Sequence, residues 1–106
     1  MASPDGALKA LAEPNRRRIL TLLRDRPLAV NDVALAMGMS QQAVSFHLRV
    51  LHGAGLVTEQ RDRTRHLYLL RTDGLQVVQQ LLDSFWPTHL QALKRAAETE
   101  AKNASG

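Results

Sequence analysis

The stretch MSQQAVSFHLRVLHGAGLV, residues 39–57, decides how the rest of the chain is read. Ser40 is a residue type that caps helix N-termini, and His52-Gly53-Ala54-Gly55 is a stop, so a helix is predicted over residues 40–52. At about 100° per residue, Val44, His47, Leu48 and Leu51 fall on one side. Gln42, Ser45, Phe46 and Arg49 fall on the other, with Gln41 and His52 at its edge. One face suits a core. The other carries hydrogen-bonding groups and an aromatic ring that a small domain would normally bury.

Working outward, VNDVALAM (residues 30–37) is predicted as a two-turn helix stopped by Gly38. With the quoted helix it makes a helix-turn-helix over about residues 30–54. Downstream, LVTEQR and RHLYLL read as two strands around Asp62-Arg63-Thr64, a hairpin wing over about residues 56–70. Upstream, Asp5 is predicted to cap a helix over about residues 6–12. A second helix, about 14–25, has Pro14 at its first position and stops before Pro27. Arg16, Arg17 and Arg18 crowd the first turn of that second helix, the wrong end for its dipole. A long helical region, about 72–101, is interrupted or kinked by Pro87. The predicted fold is mainly α with a two-stranded β-hairpin wing, a winged helix-turn-helix in one domain over residues 1–106.

The formal net charge is +4, unevenly spread. Residues 1–71 hold 11 Lys/Arg against 6 Asp/Glu, and residues 72–106 hold 3 against 4. The basic part is the motif-bearing part, which points to a polyanionic partner, nucleic acid above all. The chain has no cysteine, so disulfides, thiol sensors and thiolate metal sites are excluded. No apolar run approaches the ~18 residues needed to cross a bilayer, and no secretory pattern opens the chain, so a cytoplasmic protein without a membrane partner is expected.

The mixed helix face fits the major groove of double-stranded DNA. Gln pairs with adenine and Arg with guanine through two hydrogen bonds, and Ser40 with the first-turn N–H groups can hold a phosphate. The expected contacts are therefore Ser40, Gln41, Gln42, Ser45, Phe46 and Arg49. Phe46 either meets a thymine methyl, leans on a neighbouring helix or is merely exposed. His47, on the apolar side, reads as packed rather than as a base contact. Arg61, Arg63 and Arg65 cluster at the wing tip, where phosphates would be their partners; a solvated tip paired with Asp62 and Glu59 is the plainer alternative.

With these residues in view, the chain resembles the ArsR/SmtB family of bacterial transcriptional repressors. LKALAEPNRRRILTLLRD is similar to the family's opening helices, MSQQAVSFHLRVLHGAGLV to its recognition helix, and RTRHLYLL to its second wing strand. The resemblance spans about residues 7–98. It implies a homodimer, formed by the first and last helices, on an imperfect palindrome near a promoter. The residues support a dimer independently. Leu75, Val78, Leu82 and Phe85 recur at helical spacing, continued by Trp86, Leu90 and Leu93, and such a strip on a terminal helix needs a cover. Leu8 and Leu11 belong to the first helix of that interface.

The departures bear on mechanism. Where metal sensors of the family carry a Cys-x-Cys pair, this chain has Ala29 and Asn31; on the last helix it offers Asp83 and His89 without a second histidine further on. That set falls short of the four ligands Zn²⁺ takes, so no metal and no cofactor are expected. Thr64 stands where the family's wing often has glycine. An organic ligand, a protein partner or the regulator's own concentration would then be the switch. The alternative to a DNA-binding repressor is a winged-helix protein–protein interaction module, with Phe46 and Trp86 as hot spots. Catalysis is not expected: there is no cysteine nucleophile, no Gly-rich phosphate loop and no paired carboxylates.

Overall fold

Ser40 begins the element that organises the domain. Its backbone is extended, its hydroxyl accepts the Ala43 N–H at 3.1 Å, and the helix runs Gln41–Gly53 from there. The computed structural model describes residues 4–104. In chain order its elements are α1 (Pro4–Ala12), α2 (Pro14–Asp25), α3 (Val30–Met37), α4 (Gln41–Gly53), β1 (Val57–Asp62), β2 (Arg65–Leu70), α5 (Asp73–Ser84) and α6 (Thr88–Ala104).

Local chemistry explains most boundaries. Gly38 adopts the left-handed conformation (φ 65°) that ends α3, and its N–H together with that of Met39 takes the last carbonyls of the helix. The turn between α3 and α4 is held to three residues by that reversal. Gly74 is needed for a different reason: a Cβ there would lie 2.5 Å from the Ala54 carbonyl oxygen, because α5 starts against the turn that ends α4. The Gly74 N–H donates to the Gly55 carbonyl at 2.9 Å across the same contact.

The core is built from α2, α3, α4 and the root of the wing. Ile19, Val33, Val44, Leu48, Leu51, Leu56 and Val57 are fully enclosed, with Leu23, Leu28 and Met37 beside them. α1 joins through Ala7 and Ala10, whose small side chains let it lie close against α2 and α5. The two strands pair antiparallel from Val57↔Leu70 to Asp62↔Arg65. Leu28 adds a bridge on the free edge of β2: its N–H donates to the Tyr68 carbonyl at 3.1 Å, and the Tyr68 N–H donates back at 2.8 Å.

Several sequence expectations are corrected in detail. The first helix starts at Pro4, so Asp5 lies in its first turn and favours the dipole there instead of capping it. The wing turn is two residues, Arg63 and Thr64, since Asp62 still pairs with Arg65. Arg63 takes the left-handed conformation there (φ 61°), a costly one for a residue with a Cβ. Pro87 divides the last helical region into α5 and α6 through Phe85-Trp86-Pro87, and α6 continues to Ala104. The apolar strip divides with it. Val78 is buried and Leu75 packs on the core beside Leu11, whereas Leu82, Phe85 (71% exposed), Trp86, Leu90 and Leu93 (65%) face outward, as does Leu8 on α1. No described helix is long and apolar enough to cross a membrane.

The arginine run at the start of α2 serves the preceding helix. Arg16 Nε donates to the Ala10 carbonyl at 2.8 Å and its Nη2 to that of Lys9 at 3.3 Å; Arg17 Nη1 donates to the Leu11 carbonyl at 2.7 Å. These are the unsatisfied carbonyls at the C-terminus of α1, where cations are favourable. What looked misplaced on α2 is a cap for α1.

Candidate nucleic-acid interface

α4 is gripped from behind and open in front. Val44, Leu48 and Leu51 anchor it in the core. His47 is half-buried on the same side, with Nδ1 3.4 Å from Arg16 Nη1 and 3.9 Å from Glu13 Oε2. It is therefore the packed, hydrogen-bonded histidine expected of its position. Glu13 is also the N-cap of α2, accepting the Arg16 N–H at 3.0 Å. One network thus joins the end of α1, the start of α2 and the back of α4.

This network gives a pH dependence with a definite sign. Burial pushes the Glu13 carboxyl up, but the backbone N–H groups of Asn15 and Arg16, with the charges of His47 and Arg16, hold it below the usual carboxylate range. A carboxyl held low by the fold stabilises it at pH values above the unfolded chain's pKa, and that contribution is lost as pH falls through the folded value. Glu13→Gln is expected to be less stable than the parent at pH 7, with the gap closing below about pH 4. Urea titrations at the two pH values check this; an equal gap at both would show that the charge is not what matters.

The front of α4 presents Gln42, Phe46 and Arg49 exposed and Ser45 half-buried, the row picked out by helical spacing. Phe46 is 53% exposed and meets the His47 ring edge-on at 5.8 Å. Gln41 differs from its neighbours, because its amide donates to Asn31 Oδ1 on α3 at 3.0 Å and ties the two helices together.

The wing stands beside this row. Residues alternate across the ribbon, so Glu59, Arg61, His66 and Tyr68 share one face. His66 Nε2 lies 2.9 Å from Glu59 Oε2, and the His66 and Tyr68 rings are 5.0 Å apart. Burial and the hydrogen-bonded Glu59 carboxylate push the Tyr68 phenol up, while Arg49 pulls it back, which brings the helix face and the wing root into electrostatic contact. Arg61 and Arg63 are exposed. Arg65 is exposed as well and reaches Asp32 on α3, Nη2 to Oδ2 at 3.2 Å.

Asp32, Asn31, Arg16 and Glu13 were absent from the predicted site, and Leu28 from the predicted sheet. For Asp32 a signal existed: an acidic residue three positions after the cap of α3, where it accepts the Ala29 N–H at 3.4 Å. The Arg16–His47, Asn31–Gln41 and Asp32–Arg65 contacts join residues 31, 10 and 33 positions apart, with no local pattern to announce them. On the last helices, Asp83 is bonded to Lys94 Nζ at 2.9 Å, Lys94 sits 5.6 Å from the centre of the Trp86 ring, and His89 is exposed on α6. Among the described residues no three His, Asp or Glu side chains are grouped as a metal-ion site.

Comparison with known proteins gives this geometry its family. Residues 13–59 match the model of the bacterial regulatory proteins of the arsR family. The HTH-type transcriptional regulator Rv2034 of Mycobacterium tuberculosis is 40% identical over 98 residues, 92% of this chain and 92% of its own length. The crystal structure of a "possible transcriptional regulator for arsenical resistance" superposes with a TM-score of 0.68 at 41% identity, over 85% of this chain and 94% of that one. The homodimeric winged helix-turn-helix DNA-binding domain of Mb0332 from Mycobacterium bovis superposes at 0.63 with 33% identity, over 78% and 81%. The chain belongs to the arsR family: it is a winged helix-turn-helix, DNA-binding transcriptional regulator and not an enzyme.

Proposed function

We propose that the protein is a cytoplasmic homodimer that occupies an imperfect palindrome in promoter DNA and represses transcription without sensing a metal. The observation that carries this reading is the division of α4: Val44, Leu48 and Leu51 are enclosed while Gln42, Phe46 and Arg49 stand exposed beside an arginine-bearing wing. Gln42, Ser45, Phe46 and Arg49 face bases, Ser40 and the first turn of α4 meet a phosphate, and Arg61 and Arg63 meet the flanking backbone. Gln41 acts through Asn31, holding α3 against α4. The exposed Leu8, Leu82, Phe85, Trp86, Leu90 and Leu93 supply the apolar surface that a second copy covers. Mb0332, similar in fold, is a homodimer. Two α4 helices would then lie about one turn of DNA apart, ~34 Å. With no cysteine in the chain, and with Ala29 and Asn31 where metal sensors have a Cys-x-Cys pair, an organic ligand, a protein partner or the regulator's own concentration sets its occupancy.

The test is binding of the purified protein to DNA upstream of its own gene, against scrambled DNA, at several salt concentrations with and without a chelator. Tight, sequence-dependent, chelator-insensitive binding at one dimer per palindrome is the expected result. If neither this DNA nor selection from random sequences yields a motif, the repressor reading fails and the interaction-module reading returns. Within that assay, Gln42→Ala is expected to lose discrimination of about 1–3 kcal/mol at one base position per half-site, leaving the other positions unchanged. A uniform loss over all sequences would assign Gln42 to the backbone instead.

A further inference from the structure

Arg65 was expected to join Arg61 and Arg63 on phosphates, and its exposed guanidinium also pairs within the molecule. Its Nη2 lies 3.2 Å from Asp32 Oδ2, and the same carboxylate oxygen accepts the Ala29 N–H at the start of α3. Nearer the core, the backbones of Leu28 and Tyr68 exchange two hydrogen bonds. Segment 28–32 is therefore fastened to β2 at two points three residues apart along the strand, a lever of roughly 10 Å. Arg65 is also the first residue of β2 after the turn, opposite Asp62, so its tie is the outer of the two. A two-stranded ribbon is weakly stable alone and twists readily. One fastening at its root leaves its pitch free; a second, further out, fixes it.

We propose that the Asp32–Arg65 pair is a strut that sets the angle of the wing relative to the helix-turn-helix, making both side chains positioning residues for DNA binding and not contacts with it. This rests on the DNA-binding face described above, and it makes a prediction of unusual sign. Asp32 carries negative charge close to the arginines of this face, so plain electrostatics requires that its removal tighten binding to polyanionic DNA, and would do so most if it freed Arg65 for a phosphate. A strut requires that the same change weaken binding. Both side chains are substantially exposed (61% and 41%), so the effect is that of a screened surface pair: about threefold per protomer, or about tenfold for two wings on one operator.

The experiment compares operator binding of the parent, Asp32→Ala, Arg65→Ala and the double variant, with thermal melts alongside. The expected result is weaker binding for Asp32→Ala, and a double variant no weaker than Arg65→Ala. Should loss of the Ala29 contact lower the melt of Asp32→Ala, Arg65→Ala leaves that N–H paired with Asp32 and carries the test through the wing angle. Wing angle is read separately by nitroxides on Thr64→Cys and Ala36→Cys, unique labelling positions in a chain without cysteine, diluted into excess unlabelled protein. Their distance distribution is expected to broaden when either Asp32 or Arg65 is replaced. Unchanged or tighter DNA binding by Asp32→Ala, or an unbroadened distribution, overturns the strut. If the parent itself recognises no DNA sequence, the operator reading fails instead, and the label distances alone decide the strut.

Discussion

Leu48→Ala is expected to destabilise the domain by about 3 kcal/mol, within the 2–5 found for truncating buried leucines. Leu48 is fully enclosed on α4, among side chains of α2, α3 and the wing root, so no rim exists through which water or a neighbour could fill the space. For a domain of this size that corresponds to a fall in melting temperature of roughly 15 °C. Urea titration at fixed chain concentration should show a lower midpoint with an unchanged slope. The informative comparison is Phe46→Ala, two residues earlier on the same helix. At 53% exposure its ring is half in water, so its loss should cost less than about 1 kcal/mol while impairing DNA binding. The two variants are expected to exchange phenotypes, one losing stability and the other recognition. Equal destabilisation by both would mean that Phe46 is a core residue and that α4 has no free face.

That division was legible because it is local. Helical spacing sorts Val44, Leu48 and Leu51 from Gln42, Phe46 and Arg49; Ser40 and Gly38 mark their helix ends by side-chain and backbone chemistry that acts within four residues. Pro87 announced a break, since its ring excludes an uninterrupted helix. What stayed hidden lies between elements. Helical spacing put Leu75, Val78, Leu82 and Phe85 on one strip, but only tertiary packing distinguishes the two that enter the core from the two that stay outside. Arg16 and Arg17 opposed the dipole of their own helix, and the helix they actually cap ends only two residues before theirs begins. Gln41 and Arg65 carried the right chemistry for DNA contact. Their partners Asn31 and Asp32 are adjacent on α3, a face that sequence periodicity does not connect to the wing or to α4.

The wing tip carries the largest expected effect on binding. Arg61 and Arg63 are exposed, and the left-handed backbone at Arg63 lies in the two-residue turn where the strands reverse. In a dimer the double variant Arg61→Ala/Arg63→Ala removes four guanidinium groups from the DNA face. If each neutralises one phosphate, the plot of log affinity against log salt should become shallower by about 3.6, at roughly 0.9 per contact. Curves for parent and variant then converge near ~1 M salt and separate by about 1,000-fold at ~0.15 M. Scrambled DNA should lose affinity along with the operator, because phosphates carry no sequence. This separates the wing from Gln42, whose loss is confined to one base position. Replacing both arginines by lysine should restore most of the slope, since a point charge suffices to release a counterion. Arg63→Gly is the control for geometry: glycine adopts φ 61° without strain, so any loss it shows reflects charge and not a damaged turn. A double variant with the parent's salt slope would place both arginines in solvent, paired locally with Asp62 and Glu59, and would leave α4 to bind DNA unaided.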